Sequence, residues 1–232
     1  MHGIGVLGGM GPAATVDFMA KLVALTPASC DQEHLPVMVV NLPQVPDRSA
    51  AILGQGPDPL PVLQRGIELL NRTHVGVVVI PCNSSHHWYE QLAGVSQAPI
   101  LHIARCCVRS VPAGARTLLL ATRGTLASGF YQHELDARAI PWELPAPHDE
   151  QTLVDECIRD VKAGRRAAAA GRFGQVLAAA QARGVDAVIM GCTELPIAHG
   201  GQPAGGLLVL DSTLELARSA VALALQRGWN LA

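Results

Sequence analysis

Lysine is almost missing from this chain: Lys21 and Lys162 are the only two among 232 residues. Arginine supplies nearly all the positive charge, and 17 basic residues against 19 acidic ones leave a formal net charge of −2. No basic run or stripe is present, which argues against a nucleic-acid partner. No apolar stretch approaches the roughly 20 residues that span a bilayer, which argues against a membrane-embedded role. The start, Met1-His2-Gly3-Ile4-Gly5-Val6-Leu7-Gly8, lacks a positive leader and reads as a first strand, not a signal peptide. The six cysteines contain no CxxC pair and match no disulfide framework. Without an export signal, the expected compartment is the reducing cytoplasm, with free thiols. His86, His87 and Cys82 superficially suggest metal ligands, but no second cluster completes a site, so no metal is expected.

What is present is a buried-core composition, 49% hydrophobic and 16% charged. Short apolar runs at Ile4–Leu7, Val37–Val40, Val75–Ile80, Ile100–Ile103, Thr117–Ala121, Ala187–Met190 and Leu207–Leu210 read as buried strands. Helical patterns lie between them at Ala14–Leu25, Pro61–Arg72, Thr152–Ala163, Arg172–Arg183 and Ser212–Arg227, the last opened by Asp211 or Ser212 as a cap. Strand–helix alternation predicts an α/β protein with mostly parallel sheet.

The pattern repeats. Val75-Gly76-Val77-Val78-Val79-Ile80-Pro81-Cys82-Asn83 resembles Val185-Asp186-Ala187-Val188-Ile189-Met190-Gly191-Cys192-Thr193. The early turn Val6–Gly11 has a counterpart in Leu119–Gly124. Two similar Rossmann-like lobes follow, each with a four-stranded sheet and related by pseudo-twofold symmetry. Their expected bounds are 1–104 and 105–210, with 211–232 returning to the first lobe.

Cys82 and Cys192 each end an apolar strand and precede a helix start. Ligands of parallel sheets bind beyond the carboxyl ends of strands. Backbone N–H groups at a helix start stabilise a thiolate. One activated cysteine would suggest a nucleophile with a histidine partner, and His86 is near. Two cysteines at equivalent places suggest a cleft flanked by a thiol on each side. Stereoinversion needs that arrangement: one base removes a proton from one face, and an acid returns a proton to the other. The remaining four have bland readings: Cys106, Cys107 and Cys157 as core thiols, and Cys30 as a loop thiol.

The chain resembles the aspartate/glutamate racemase superfamily, most closely its aspartate racemase branch. The resemblance runs nearly end to end. It rests on Gly8-Gly9-Met10-Gly11-Pro12 with Ala14-Thr15, Asp31-Gln32-Glu33-His34, Pro43-Gln44-Val45-Pro46-Asp47-Arg48 and Pro81-Cys82-Asn83-Ser84-Ser85-His86. It continues through Ala121-Thr122-Arg123-Gly124-Thr125, Val161-Lys162-Ala163-Gly164 and Gly191-Cys192-Thr193-Glu194. It implies catalytic roles for Cys82 and Cys192, a two-lobed fold, dimerisation, and work without pyridoxal phosphate or another cofactor. It implies that Arg48 and Lys162 contact a substrate carboxylate or steady a thiolate, and it adds Met10 and Glu194 to the substrate site. Asn83, Ser84, Thr122, Thr125 and Thr193 are expected to hold the α-carboxylate and amino group. His86 is expected to orient the site or to serve as a structural residue beside the cap. Ser84 departs from the branch, which usually has threonine there.

The expected activity is therefore racemisation of aspartate or glutamate. A decarboxylase or cis–trans isomerase of the same design is the second reading, and a non-catalytic amino-acid-binding protein the third. Decarboxylation with one-sided protonation would need one cysteine only. Gly3-Ile4-Gly5-Val6-Leu7-Gly8 matches GxGxxG by letter, but its glycines fall within the strand and not after it, which argues against a dinucleotide site.

Overall fold

The computed structural model describes residues 3–230. Met1 and His2 of the expected first-strand segment, and the last two positions of the segment 211–232, lie outside the described residues. The first half runs β1 (Ile4–Gly8), α1 (Pro12–Leu25), β2 (Val37–Asn41), α2 (Arg48–Ile52), α3 (Leu60–Asn71), β3 (Val77–Val79), α4 (Tyr89–Val95) and α5 (Ile103–Val108). The second runs β4 (Thr117–Ala121), α6 (Arg123–Ser128), α7 (Phe130–Asp136), β5 (Trp142–Glu143), α8 (Glu150–Lys162), α9 (Arg166–Ala182), β6 (Ala187–Gly191), α10 (Glu194–His199), β7 (Leu208–Asp211) and α11 (Ser212–Gln226).

Two parallel sheets result, ordered β2-β1-β3 and β5-β4-β6-β7. Each half places its first strand between its second and third, so the repeat seen in the sequence is a repeat of topology. The first sheet has three strands, one fewer than expected. The Ile100–Ile103 run contributes only a bridge from Ile100 to Val78, at the place β7 takes beside β6. Pro99 has no N–H to extend that ladder. After Leu101 donates to the Val78 carbonyl, His102 already caps α5 and Ile103 is helical.

Each sheet is covered on both faces, which explains the uninterrupted apolar runs in its central strands. In the first lobe Ile4, Val6, Val77 and Val79 pack with Phe18 and Leu22 of α1 and with Leu216, Ala217 and Ala220 of α11. Leu7, Val78 and Ile80 pack on the other side with Leu63, Ile67 and Leu70 of α3. Phe18 is wholly buried, which is worth about 1.5–3 kcal/mol for a side chain of that kind. In the second lobe Val154, Phe173 and Val176 cover one face, and Tyr131 and Leu135 the other. Helix α11 thus packs against the first lobe although it follows the last strand of the second. Helix α5 serves both lobes, with Ile103 and Cys106 in the first core and Ala104, Cys107 and Val108 in the second.

The glycines after β1 have a packing reason. Gly9 has φ +100°, and a Cβ there would lie 2.4 Å from the Leu42 backbone. Its N–H donates to Thr15 Oγ1 at 2.8 Å. The turn is therefore fixed against α1 and against the residue that follows β2.

Candidate active site

The second lobe's cysteine follows β6 directly, and the first lobe's lies three residues beyond β3. Beyond Cys82 a 3-10 turn covers Ser84–Trp88 before α4, and beyond Cys192 the chain enters α10 with Thr193 as its cap residue. Both thiols are buried, 4% exposed for Cys82 and 6% for Cys192. They line one small cavity between the lobes, about 30 Å³ in volume. Met10, Arg48, Asn83 and Ser84 reach it from the first lobe. Thr122, Thr125, Lys162, Thr193 and Glu194 reach it from the second. Every site residue expected from the sequence therefore meets in this one cleft. Asp47, Ser49 and Gly191 also line it and were not singled out. Each is the chain neighbour of a residue that was, and Asp47 and Gly191 also lie within the motifs that carry the resemblance.

The side chains differ in how free they are. Arg48 donates through Nη1 to the carbonyls of Val45 (3.2 Å) and Pro46 (3.0 Å) and through Nη2 to that of Met10 (3.3 Å). It is thus held rigidly, with several donors already spent. Asn83 is committed at both ends, accepting from Tyr131 Oη at 2.6 Å and donating to Ser212 Oγ at 3.1 Å. Its amide ties the first lobe to α7 and α11. Thr122 caps α6, its hydroxyl accepting from Thr125 N–H at 3.2 Å. Ser84 Oγ lies 3.6 Å from Cys82 Sγ, and Ser85 donates to Met10 Sδ at 3.2 Å. Gly124 N–H donates to Ser49 Oγ at 2.9 Å, and a Cβ on Gly124 would lie 2.6 Å from Ser49 Cα. The lobes meet at that glycine without room for a side chain.

Cys192 has an acidic partner. Its thiol donates to Glu194 Oε2 at 3.0 Å, and Thr193 Oγ1 donates to the same oxygen at 3.0 Å. Burial, then the Glu194 charge and this hydrogen bond, hold the Cys192 pKa well above the ordinary thiol range, while Lys162 and the Glu194 N–H pull it down. Lys162 ends α8 and makes no hydrogen bond or ion pair among the described residues.

The comparisons with known proteins agree on one family. The description Asp/Glu/Hydantoin racemase fits residues 7–220. The chain belongs to the Asp/Glu/hydantoin racemase family. It is an amino-acid racemase by that membership, with a fold of the aspartate racemase type. It is 26% identical over 223 residues to the broad specificity amino-acid racemase RacX of Bacillus subtilis (strain 168), covering 94% of this chain and 96% of that protein. It superposes on Picrophilus torridus aspartate racemase with a TM-score of 0.85 and 28% identity, over the whole of both chains. Francisella tularensis glutamate racemase shares the fold, with a TM-score of 0.73 and 15% identity over 98% of this chain and 82% of that one.

In this racemase the expectation of a larger thiolate fraction at both cysteines needs one correction. A short helix start does favour a thiolate, but at Cys192 burial and a neighbouring carboxylate outweigh it. Cys106, Cys107 and Cys157 fit the bland reading. Burial raises all three, Cys157 to about 12. No helix among the described residues is long and apolar enough to cross a membrane.

His86 lies 3.0 Å through Nδ1 from the Cys82 carbonyl. A carbonyl can only accept, so Nδ1 carries the proton, and the ring braces the cysteine backbone and not its thiol. His86 packs edge-on against His102 at 4.9 Å. Burial above all pushes His86 down to about 4. Burial, then the His86 and Arg105 charges, push His102 down to about 2. An unfolded imidazole titrates near ~6.5. Below that pH the unfolded chain binds more protons than the folded one, so stability falls as pH falls, by up to about 1.4 kcal/mol per pH unit for each ring. The melting temperature of the racemase is expected to drop between pH 7 and pH 5. His102→Phe should flatten the decline, and an equally steep decline in that variant would contradict this source of acid sensitivity.

Proposed function

We propose that the racemase inverts amino acids at Cα by passing protons across the cleft between Cys82 and Cys192. One thiolate removes the α-proton from one face, leaving a planar carbanion. The opposite thiol donates its proton to the other face, so a thiol and a thiolate exchange places with each turnover. The observation that carries this reading is that thiols from equivalent ends of two repeated sheets line one cavity. The elevated pKa of Cys192 supports its resting role as the thiol, with Cys82 as the first base. In the reverse direction Cys192, already a thiolate, takes the α-proton and Cys82 returns one. Glu194 orients the Cys192 thiol, and Lys162 with the Glu194 N–H steadies its thiolate.

Lys162 and the remaining donors of Arg48 serve as carboxylate partners, which favours aspartate among dicarboxylic substrates, with glutamate as the longer alternative. Ser84, Thr122, Thr125 and Thr193 supply hydroxyls around the amino acid. Fixed donors aimed at the α-carboxylate would stabilise the charge that develops there. In this reading the protein is a cytoplasmic homodimer needing neither pyridoxal phosphate nor metal, as the family resemblance implies. Its lobes are residues 1–104 with 211–232, and residues 105–210, joined through α5. The test is to incubate purified protein with L-aspartate and no added cofactor. Optical rotation should decay to zero. Persistent rotation with every amino acid tried would overturn the proposal.

A further inference from the structure

The reacting cavity does not close on itself. Met10, Asp47, Arg48, Lys162 and Glu194 line it and also line a second, larger groove of about 410 Å³. That volume lies in the range of small-molecule sites, whereas the inner cavity is a small fraction of it. Part of the groove's wall is apolar: Pro12 and Ala13 from α1, Pro43 and Val45 from the segment after β2, Val161 from α8 and Ile197 from α10.

Charge at the shared boundary is balanced and mostly spent. Asp47 caps α2 by accepting from the Ala50 N–H at 2.8 Å. Glu194 is engaged by Cys192 and Thr193, and Arg48 by three carbonyls. Lys162 alone is without a hydrogen bond or ion pair among the described residues. Every amino acid brings one α-carboxylate, and a dicarboxylic one brings two. Lys162 can take the first, and the donors left on Arg48, its unpartnered Nε among them, can take the second. Beyond that boundary the side chains of Pro12, Ala13, Pro43, Val45, Val161 and Ile197 offer hydrocarbon.

We infer that the groove is a side-chain subsite, and that the enzyme racemises amino acids with long uncharged side chains, such as methionine and leucine, as well as aspartate. This rests on the two-thiol reading above and adds its substrate class. Ala13 on one wall and Ile197 on another set the fit of the side chain. Burying one or two methylenes in such a pocket discriminates by roughly tenfold or more.

The test measures kcat/KM for L-methionine and L-aspartate, following solvent deuterium at Cα, in the natural protein, in Ala13→Trp, which fills the groove, and in Ile197→Asn, which makes one wall polar. Both substrates should be racemised. The methionine-to-aspartate ratio should fall about tenfold in each variant. Racemisation of aspartate alone would overturn the subsite and leave the two-thiol reading intact. A ratio unchanged in both variants would do the same. Deuterium in neither substrate would overturn both.

Discussion

Replacing Cys82 or Cys192 with alanine is expected to cut inversion by orders of magnitude while leaving exchange of one enantiomer's α-hydrogen with solvent. Each thiol faces one side of Cα in the proposed cleft. When one thiol is removed, the other can still take a proton from its own face and, after exchanging with water, return one to the same face. It cannot deliver a proton to the opposite face. Losing a positioned acid or base costs about 10²–10⁴-fold in rate. Racemisation should fall by that factor in both variants. Slow deuterium uptake should persist into the L-enantiomer with one variant and into the D-enantiomer with the other. That division would also assign each cysteine to its enantiomer. A single variant that kept full racemisation would exclude the two-thiol mechanism.

Glu194→Gln should produce the next largest change. The carboxylate accepts the Cys192 thiol proton and raises the Cys192 pKa. Glutamine can accept a hydrogen bond but carries no negative charge. Two consequences follow. The Cys192 thiol loses the charged partner that aims it, so kcat/KM should fall about 10²-fold. The Cys192 pKa should also drop, because one cause of its elevation is gone. Activity needs one thiol and one thiolate, so the alkaline limb of the pH profile should move to lower pH. Enantiomers have an equilibrium constant of one, so kcat/KM must fall equally in both directions. An alkaline limb that stays in place would show that Glu194 acts only through packing.

Much of this was readable from local sequence. Thr117–Ala121 forms a strand with the same bounds the apolar run gave, because a central strand buried on both faces has no polar interruption. β5 was missed because it is two residues long and leaves no period to detect. Helix α9 begins at Arg166, ahead of the expected Arg172, because alanines 167–170 favour helix and Gly171 and Gly174 do not break it. The two cysteines and their neighbours were legible because they lie in short motifs beyond strand ends, where the fold collects its ligand contacts. Arg48, at the start of α2, and Lys162, at the end of α8, were legible only through the family resemblance. What those side chains do with their hydrogen bonds was not legible. Asn83 looked free to hold substrate, yet Tyr131 and Ser212, distant in the sequence, occupy both ends of its amide. Glu194 was read as a substrate contact, yet its rotamer turns the carboxylate onto Cys192. The spare cation at Lys162 and the apolar groove beside it depend likewise on how the lobes meet.

The central claim is that two different groups handle the departing and arriving protons. The most direct measurement follows a single enantiomer in D2O through the first few per cent of reaction. The account predicts that the newly formed enantiomer carries one solvent deuterium at Cα from the outset, while the recovered starting enantiomer stays unlabelled. Product that retains its original hydrogen would show one group serving both faces, and would contradict the account.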